Sequence, residues 1–391
     1  MSRKQRFFLL FLAFCMLVTA SQIPAVAERA QTESGAAYPS SLSSESAILI
    51  EAESGDTVYA KNADLRLPMA STTKLMTALV AMDLAAPTKT ITVAPEAVGV
   101  EGSSIYLTVG EELTLEQLLY ALLLESANDA AAAIAISLSG SIESFAEEMN
   151  KKADALGLCD THFTNPHGLD DAEHYTTARE LALIARAVLE NELLSTICAT
   201  RKTTIPHADT ESVRLLVNHN KLLRLYEGCI GMKTGFTKKS GRTLVSAAER
   251  DGVTLIAVTL NAPDDWQDHT KMLDYGFSCY RSHRLCDVGD LVYSLPIVGG
   301  KEDYVVLGNT QALTVTLPAS AGEIRQALEC RRFEYAGVTE GALLGYAVFD
   351  CDTNGDGTRE CIARVPLYAL YTVEKQEQKS GFWGFFQRIF S

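Results

Sequence analysis

Three short polar runs lie far apart along this chain: Ser71-Thr72-Thr73-Lys74, Ser126-Ala127-Asn128 and Lys233-Thr234-Gly235. They can meet only if the segments between them fold as one domain. The first run pairs a nucleophile with a base. A serine hydroxyl is a weak nucleophile at its free pKa and needs a neighbour to take its proton as attack begins. Positions i and i+3 share a helix face, which sets Lys74 beside Ser71 if the segment is helical. A helix is predicted from Ala70 to Ala86, because Leu75, Leu79 and Met82 recur at helical spacing and Pro68 stands just upstream. Ser71 then falls in the first turn, where backbone N–H groups favour a developing anion. A buried lysine beside a second cation loses proton affinity and becomes a base, and Lys233 is the candidate second cation. The second run adds a proton-relaying hydroxyl next to an amide, and the third a cationic strand able to hold a carboxylate. Together these residues point to acyl transfer through a serine ester.

The surrounding pattern predicts an α+β domain, an antiparallel sheet with packed helices. Two short strands between Ala47 and Ala60 flank a Ser54-Gly55-Asp56 turn, and strands Thr243–Glu249 and Val253–Leu260 join at Asp251-Gly252. Helices Leu113–Leu124 and Asn128–Leu138 bracket the Ser-Ala-Asn turn. They are apolar on most sides, which implies burial in the domain centre, since Glu125, Asn128 and Asp129 interrupt them. From about Leu285 the pattern changes to short strands with turns: Leu291–Val298, Tyr304–Leu307, Leu313–Leu317, Leu343–Phe349 and Cys361–Tyr371. This predicts a small all-β domain without catalytic residues. Within it Asp352-x-Asn354-x-Asp356-Gly357 matches the first half of a calcium loop, but the twelfth position is Ala363 where a bidentate glutamate is needed, so a hairpin turn is expected. His162, His167 and His174 lack metal-ligand spacing, and neither a metal nor another cofactor is expected. Of the nine cysteines, Cys351 with Cys361 and Cys279 with Cys286 are candidate pairs, with free buried thiols as the alternative.

The ends set the cellular frame. Arg3, Lys4 and Arg6, the apolar run Phe7–Ala20 and Ala25-Val26-Ala27 form a secretory signal peptide over residues 1–27. Its removal moves the formal charge from −15 to −18, which disfavours nucleic acid as a partner. Residues 28–45, rich in Ser, Ala, Thr and Glu, are expected to be a mobile leader. The catalytic domain is then assigned to 46–284, the all-β domain to 285–371, and a polar tether with an amphipathic helix to 372–391. In that helix Phe382, Trp383, Phe385, Phe386, Ile389 and Phe390 make one apolar face on a segment too short to cross a bilayer. It is expected to lie on a membrane surface.

The three runs, together with Leu67-Pro68-Met69-Ala70, Asn165-Pro166-His167-Gly168-Leu169 and Tyr175-Thr176-Thr177-Ala178-Arg179, resemble the serine-type D-Ala-D-Ala carboxypeptidases, the low-molecular-mass penicillin-binding proteins. The resemblance covers most of the chain from about Ser46 onward. It implies a β-lactamase/transpeptidase-like catalytic domain in which Ser71 is acylated, Lys74 is its general base and Ser126 relays protons. Asn128 would hold the substrate amide, and Lys233 and Thr234, on the strand through Gly235, the terminal carboxylate. Some members have histidine after Lys-Thr-Gly, where this chain has Phe236; the Phe236 N–H would still complete an oxyanion hole with that of Ser71, and Thr237 and Arg242 would share the carboxylate. The implied partners are peptidoglycan stem peptides ending in D-Ala-D-Ala and, as inhibitors, β-lactams. The implied location is the outer face of the cytoplasmic membrane or the cell wall. The tail and Phe236 also resemble members associated with spore cortex formation. A DD-endopeptidase, a β-lactamase and a non-turnover penicillin sensor are the alternatives. The β-lactamase is disfavoured because Glu180-Leu181-Ala182-Leu183-Ile184 lacks the asparagine of the deacylating motif.

Overall fold

The computed structural model describes residues 37–208 and 212–376. The expected signal peptide, residues 28–36 of the leader and the amphipathic helix lie outside the described residues.

The organising element is a five-stranded antiparallel sheet built from β1 (Ser46–Glu51), β2 (Thr57–Lys61), β7 (Cys229–Thr237), β8 (Gly241–Arg250) and β9 (Val253–Leu260), in the order β2-β1-β9-β8-β7. Successive side chains on a strand point to opposite faces, and here both faces are covered. Ile48, Ile50, Val245, Ile256 and Val258 enter one core, while Ala47, Leu49, Leu244, Leu255 and Ala257 enter a second. A strand buried on both faces reads as a continuous apolar run, as Ala47–Ile50 does.

Helix α8 (Asp265–Cys279) lays Met272 and Leu273 on the second face. The first face carries α1 (Lys74–Leu84), α2 (Leu115–Leu124), α3 (Asn128–Ser139), α4 (Ile142–Ala155), α5 (Ala178–Glu190) and α6 (Glu192–Ala199). As their composition predicts, α2 and α3 are buried centrally. Thr114 and Gln117 close a reciprocal capping box at the start of α2. Gly140, with φ 85°, ends α3 in the left-handed conformation that glycine tolerates best. Short ribbons β3 (Thr90–Thr92) with β4 (Glu112–Thr114) and β5 (Lys202–Pro206) with β6 (Val213–Val217) lie outside this sheet, and a one-turn helix α7 (Leu222–Leu225) leads into β7.

Two expectations change here. The helix predicted from Ala70 divides into a 3-10 turn, Ala70–Thr73, and α1 from Lys74. The leader is ordered over its described end. Leu42 and Ser44 are buried, Tyr38 packs on Tyr59 and Tyr275, and Asp268 of α8 accepts hydrogen bonds from Ser43 N, Ser43 Oγ and Ser44 N. Small polar residues read as flexible only until a buried carboxylate supplies their partner.

Downstream lies the all-β unit. It contains β10 (Tyr280–Cys286) paired with β13 (Leu313–Pro318), and a six-stranded sheet of β11 (Val292–Val298), β12 (Tyr304–Gly308), β14 (Arg325–Cys330), β15 (Glu334–Tyr335), β16 (Leu343–Cys351) and β17 (Glu360–Ala369). Three strands escape the sequence pattern, one of them the two-residue β15. β10 carries Arg281, Ser282, His283 and Arg284, and β14 is an exposed edge without an apolar face. Because β10 follows α8 directly, strand pairing of this unit starts upstream of Leu285. The Asp352 loop is the β16–β17 hairpin turn, and the Asp352 carboxylate accepts N–H bonds from Gly355, Asp356 and Gly357. The cysteines of the described residues are free thiols. Cys351 stands opposite Glu360 and Asp350 opposite Cys361, so the two sulfurs belong to staggered positions.

Candidate active site

Strand β7 ends beside the 3-10 turn that carries Ser71, and glycine makes the approach possible. A Cβ at Gly235 would come within 2.4 Å of Thr243 Oγ1 and 2.9 Å of Ser71 N. Gly168, with φ +86°, closes the opposite side, since a Cβ there would lie 1.9 Å from the Ala70 carbonyl oxygen. Ala70 itself has φ 47° and Ser126 φ 60°. Such backbone costs energy for a side-chain-bearing residue, and it persists where the surrounding contacts dictate it.

Lys74 is fully buried, with Nζ 3.0 Å from Ser71 Oγ. Nζ also donates to Asn128 Oδ1 at 2.7 Å and to the His167 carbonyl at 2.5 Å. A neutral amine has two N–H donors and one lone pair. In the neutral form, donation to Asn128 and His167 would use both N–H groups and leave the lone pair for Ser71. Burial, reinforced by the charge of Lys233, pushes Lys74 well below the ordinary lysine range, while Asp129 opposes the shift. A lowered proton affinity of this kind suits an amine to accept a proton from a hydroxyl in contact with it.

Asn128 is held from its other end, where Nδ2 donates to the Glu101 carbonyl at 2.5 Å and the backbone N–H to Ser103 O at 2.7 Å. Asp129 fixes the same loop, accepting from Ser104 Oγ, Ile105 N and Leu107 N. Ser126 is buried at the start of this turn. Lys233 is likewise buried, with Nζ donating to Thr234 O at 2.9 Å, and burial brings its pKa from 10.5 down to about 7.

The remaining expected residues lie at the end of β7. The Phe236 side chain points to solvent, so only its backbone is offered to the site. Thr237 Oγ1 lies 2.9 Å from Asp170 Oδ1 and from Ser240 Oγ. Arg242 pairs in register with Phe236, but its guanidinium is engaged elsewhere: Nη2 donates to Asp265 Oδ1 at 2.8 Å and Cζ lies 5.5 Å from the Trp266 ring centre.

Several supporting contacts reach beyond the three polar runs. His174 Nε2 lies 2.8 Å from Thr73 Oγ1, beneath the nucleophile turn, and its Nδ1 accepts from Thr164 N. Burial, aided by the charges of His162 and Lys74 and opposed by Asp171, pushes the pKa of the ring down to about 4 and keeps it neutral. Thr77 Oγ1 donates to the Pro166 carbonyl, and Asn165 Oδ1 accepts from Gly168 N. The Asn165–Leu169 segment thus supplies the base with its second acceptor. A run of loop histidines offers the sequence reader no hint of this, because their partners are distant hydroxyls and backbone groups.

A family profile described as D-alanyl-D-alanine carboxypeptidase matches residues 31–264. The chain is 31% identical over 353 residues to the D-alanyl-D-alanine carboxypeptidase DacF of Bacillus subtilis, covering 88% of each. It is 37% identical over 244 residues to a D-alanyl-D-alanine carboxypeptidase of Streptomyces sp. strain K15, covering 57% of this chain and 84% of that one. Among solved structures, penicillin-binding protein 5 from Haemophilus influenzae superposes with a TM-score of 0.64 at 27% identity, over 87% of this chain and all of that one.

Proposed function

Because the chain belongs to the D-alanyl-D-alanine carboxypeptidase family, with the active-site geometry described above, we propose the following division of labour for its reaction. The protein is a serine peptidase that removes the terminal D-alanine from stem peptides ending in D-Ala-D-Ala. Ser71 Oγ attacks the carbonyl carbon of the penultimate D-alanine as its proton passes to Lys74 Nζ. The tetrahedral oxyanion lies between the backbone N–H groups of Ser71 and Phe236, a role for which the side chain of Phe236 is immaterial. The C–N bond breaks as Lys74, through Ser126 Oγ, protonates the leaving amine, and D-alanine departs. Water, deprotonated by Lys74 Nζ, then attacks the Ser71 ester, and Lys74 returns the proton to Ser71 Oγ as the acid product leaves. Asn128 orients both the base and the substrate amide. Lys233, Thr234 and Thr237 receive the terminal carboxylate, and Arg242, engaged by Asp265, supports the end of the strand.

The observation that carries these roles is the placement of Lys74 Nζ between two acceptors and 3.0 Å from Ser71 Oγ. A strained β-lactam amide presented to the same serine would acylate it, and the ester would leave slowly. The extracytoplasmic cell wall is the compartment that holds such substrates, and the amphipathic run Phe382–Phe390 gives the chain a means of resting on the adjoining membrane.

The test is D-alanine release from diacetyl-Lys-D-Ala-D-Ala by the mature chain beside Ser71→Ala. Release by the wild type alone, blocked by benzylpenicillin that labels Ser71, is the expected result. Labelling without release would identify a sensor or an enzyme for cross-linked peptides, and muropeptide dimers would separate the two.

A further inference from the structure

The end of β7 and the Asn165–Leu169 segment are joined by one contact that the steps above leave without a part. Thr237 closes β7, and its Oγ1 lies 2.9 Å from Oδ1 of Asp170, the residue that follows the segment. Asp170 is held there because the segment before it is pinned. The His167 carbonyl accepts from Lys74 Nζ, and Gly168 lies against the Ala70 carbonyl. Asn165 receives the Gly168 N–H on Oδ1, while its Nδ2 donates to the Leu169 carbonyl at 3.1 Å. The next carboxylate serves its own turn instead, since Asp171 Oδ1 accepts the Glu173 N–H at 2.8 Å. Of this acidic pair, Asp170 is the one joined to β7.

A count of protons gives that contact its direction. Ser240 Oγ donates to the Gly241 carbonyl at 2.9 Å, and Ser240 N donates to Thr237 Oγ1 at 2.9 Å. The single hydroxyl proton of Thr237 is left for the Asp170 carboxylate, a stronger acceptor than the Ser240 hydroxyl at the same distance. A substrate carboxylate bound by Thr237 must take that proton over. Asp170, which is exposed, then has an unfilled acceptor two hydrogen bonds, about 6 Å, from the terminal carboxylate.

We propose that Asp170 determines specificity for the side chain of the leaving amino acid: its freed carboxylate accepts from a cationic side chain and repels an anionic one. This deepens the carboxypeptidase reading and rests on the carboxylate-binding role given there to Thr237. Repulsion between Asp170 and the terminal carboxylate is common to all such substrates, so peptides that differ only in the last side chain report on Asp170 itself. Unit charges about 6 Å apart in an exposed site change affinity about 3-fold in each direction.

The experiment measures kcat and KM for release of the last residue from diacetyl-Lys-D-Ala peptides ending in D-Lys, D-Gln or D-Glu, beside D-Ala, at low and high salt. It uses the mature chain and Asp170→Asn, and the same peptides are tested as competitors of benzylpenicillin acylation. The wild type is expected to prefer D-Lys over D-Glu about 10-fold in kcat/KM, carried by KM, with D-Gln between them and the ratio shrinking in high salt. Asparagine keeps an acceptor for Thr237 and removes the charge, so Asp170→Asn should bring the ratio below about 2-fold. A wild-type ratio near one, a ratio unchanged by the substitution, or release of D-alanine alone overturns the proposal. So does an equal loss on every peptide with a lowered Tm, the mark of a brace without a charge role. Should Asp170→Asn fail to fold, the wild-type salt series and Asp170→Glu decide, since the glutamate keeps the charge and must keep the preference. If the wild type releases no amino acid the carboxypeptidase reading fails, yet the competition ratios still show whether Asp170 selects the last residue, so the two failures remain separate.

Discussion

Two lysines share this buried site, and their charge state governs both chemistry and stability. Lys233 in the unfolded chain holds its proton up to about pH 10.5, whereas in the native state it loses it at about pH 7. Between those values the unfolded state binds the extra proton, so this residue makes the native protein more stable as pH rises. Below about pH 7 both states are protonated and its contribution is flat. Chemical unfolding of wild type and Lys233→Met across that range should show the wild type gaining on the variant by up to about 1.4 kcal/mol per pH unit. Parallel curves would contradict the buried-lysine account. Gly168 is the second residue-scale constraint. Its φ of +86° and the Ala70 carbonyl 1.9 Å from a built Cβ leave no room for a methyl group. Gly168→Ala should therefore displace the nucleophile turn, cutting penicillin labelling of Ser71 by an order of magnitude or more and lowering Tm by several degrees. Both measurements unchanged would mean that the segment yields more readily than its contacts imply.

At the scale of elements, the site is assembled where element ends meet: the turn before α1, the junction of α2 with α3, and the free edge of β7. The α2 start is the easiest of these to probe. Thr114→Ala removes the acceptor of the capping box and should cost about 1 kcal/mol of stability, read from the denaturant midpoint. It should leave penicillin acylation intact, because the cap lies at the opposite end of α2 from Ser126. Strands β8 and β9, helices α2 and α3 and the β16–β17 turn were legible in sequence, since each has a continuous apolar run, a cap or a turn-forming pair of its own. Strands β10 and β14 were not. Their polar residues acquire strand geometry only from the neighbours that pair with them. The ordered leader is the same case in another form, fixed by Asp268 more than two hundred residues away.

Across the whole molecule, long-range polar contacts hold the loop that bonds Asn128. Arg214 of β6 donates from Nη1 at 2.5 Å and from Nη2 at 3.0 Å to the two carboxylate oxygens of Glu111, and from Nε to the Ile105 carbonyl, so it clamps the loop that also holds Asn128. Both partners are buried. Glu111→Gln leaves a buried guanidinium half-paired and should cost about 3–5 kcal/mol, visible in urea unfolding, together with slower acylation. A change below 1 kcal/mol would show that the loop is held by other contacts. By itself, the sequence singled out Ser71, Lys74, Ser126 and Lys233 as candidates and determined an α+β domain followed by a β unit. Those features follow from residue type and short spacing, which a linear pattern preserves. Only the tertiary structure decided that Lys74 Nζ meets Asn128 Oδ1 and the His167 carbonyl, that Arg242 is claimed by Asp265, and that Glu125 pairs with His219. Each of these depends on which distant groups a buried charge finds as partners, and such pairing is written in the packing of the fold rather than in any one segment.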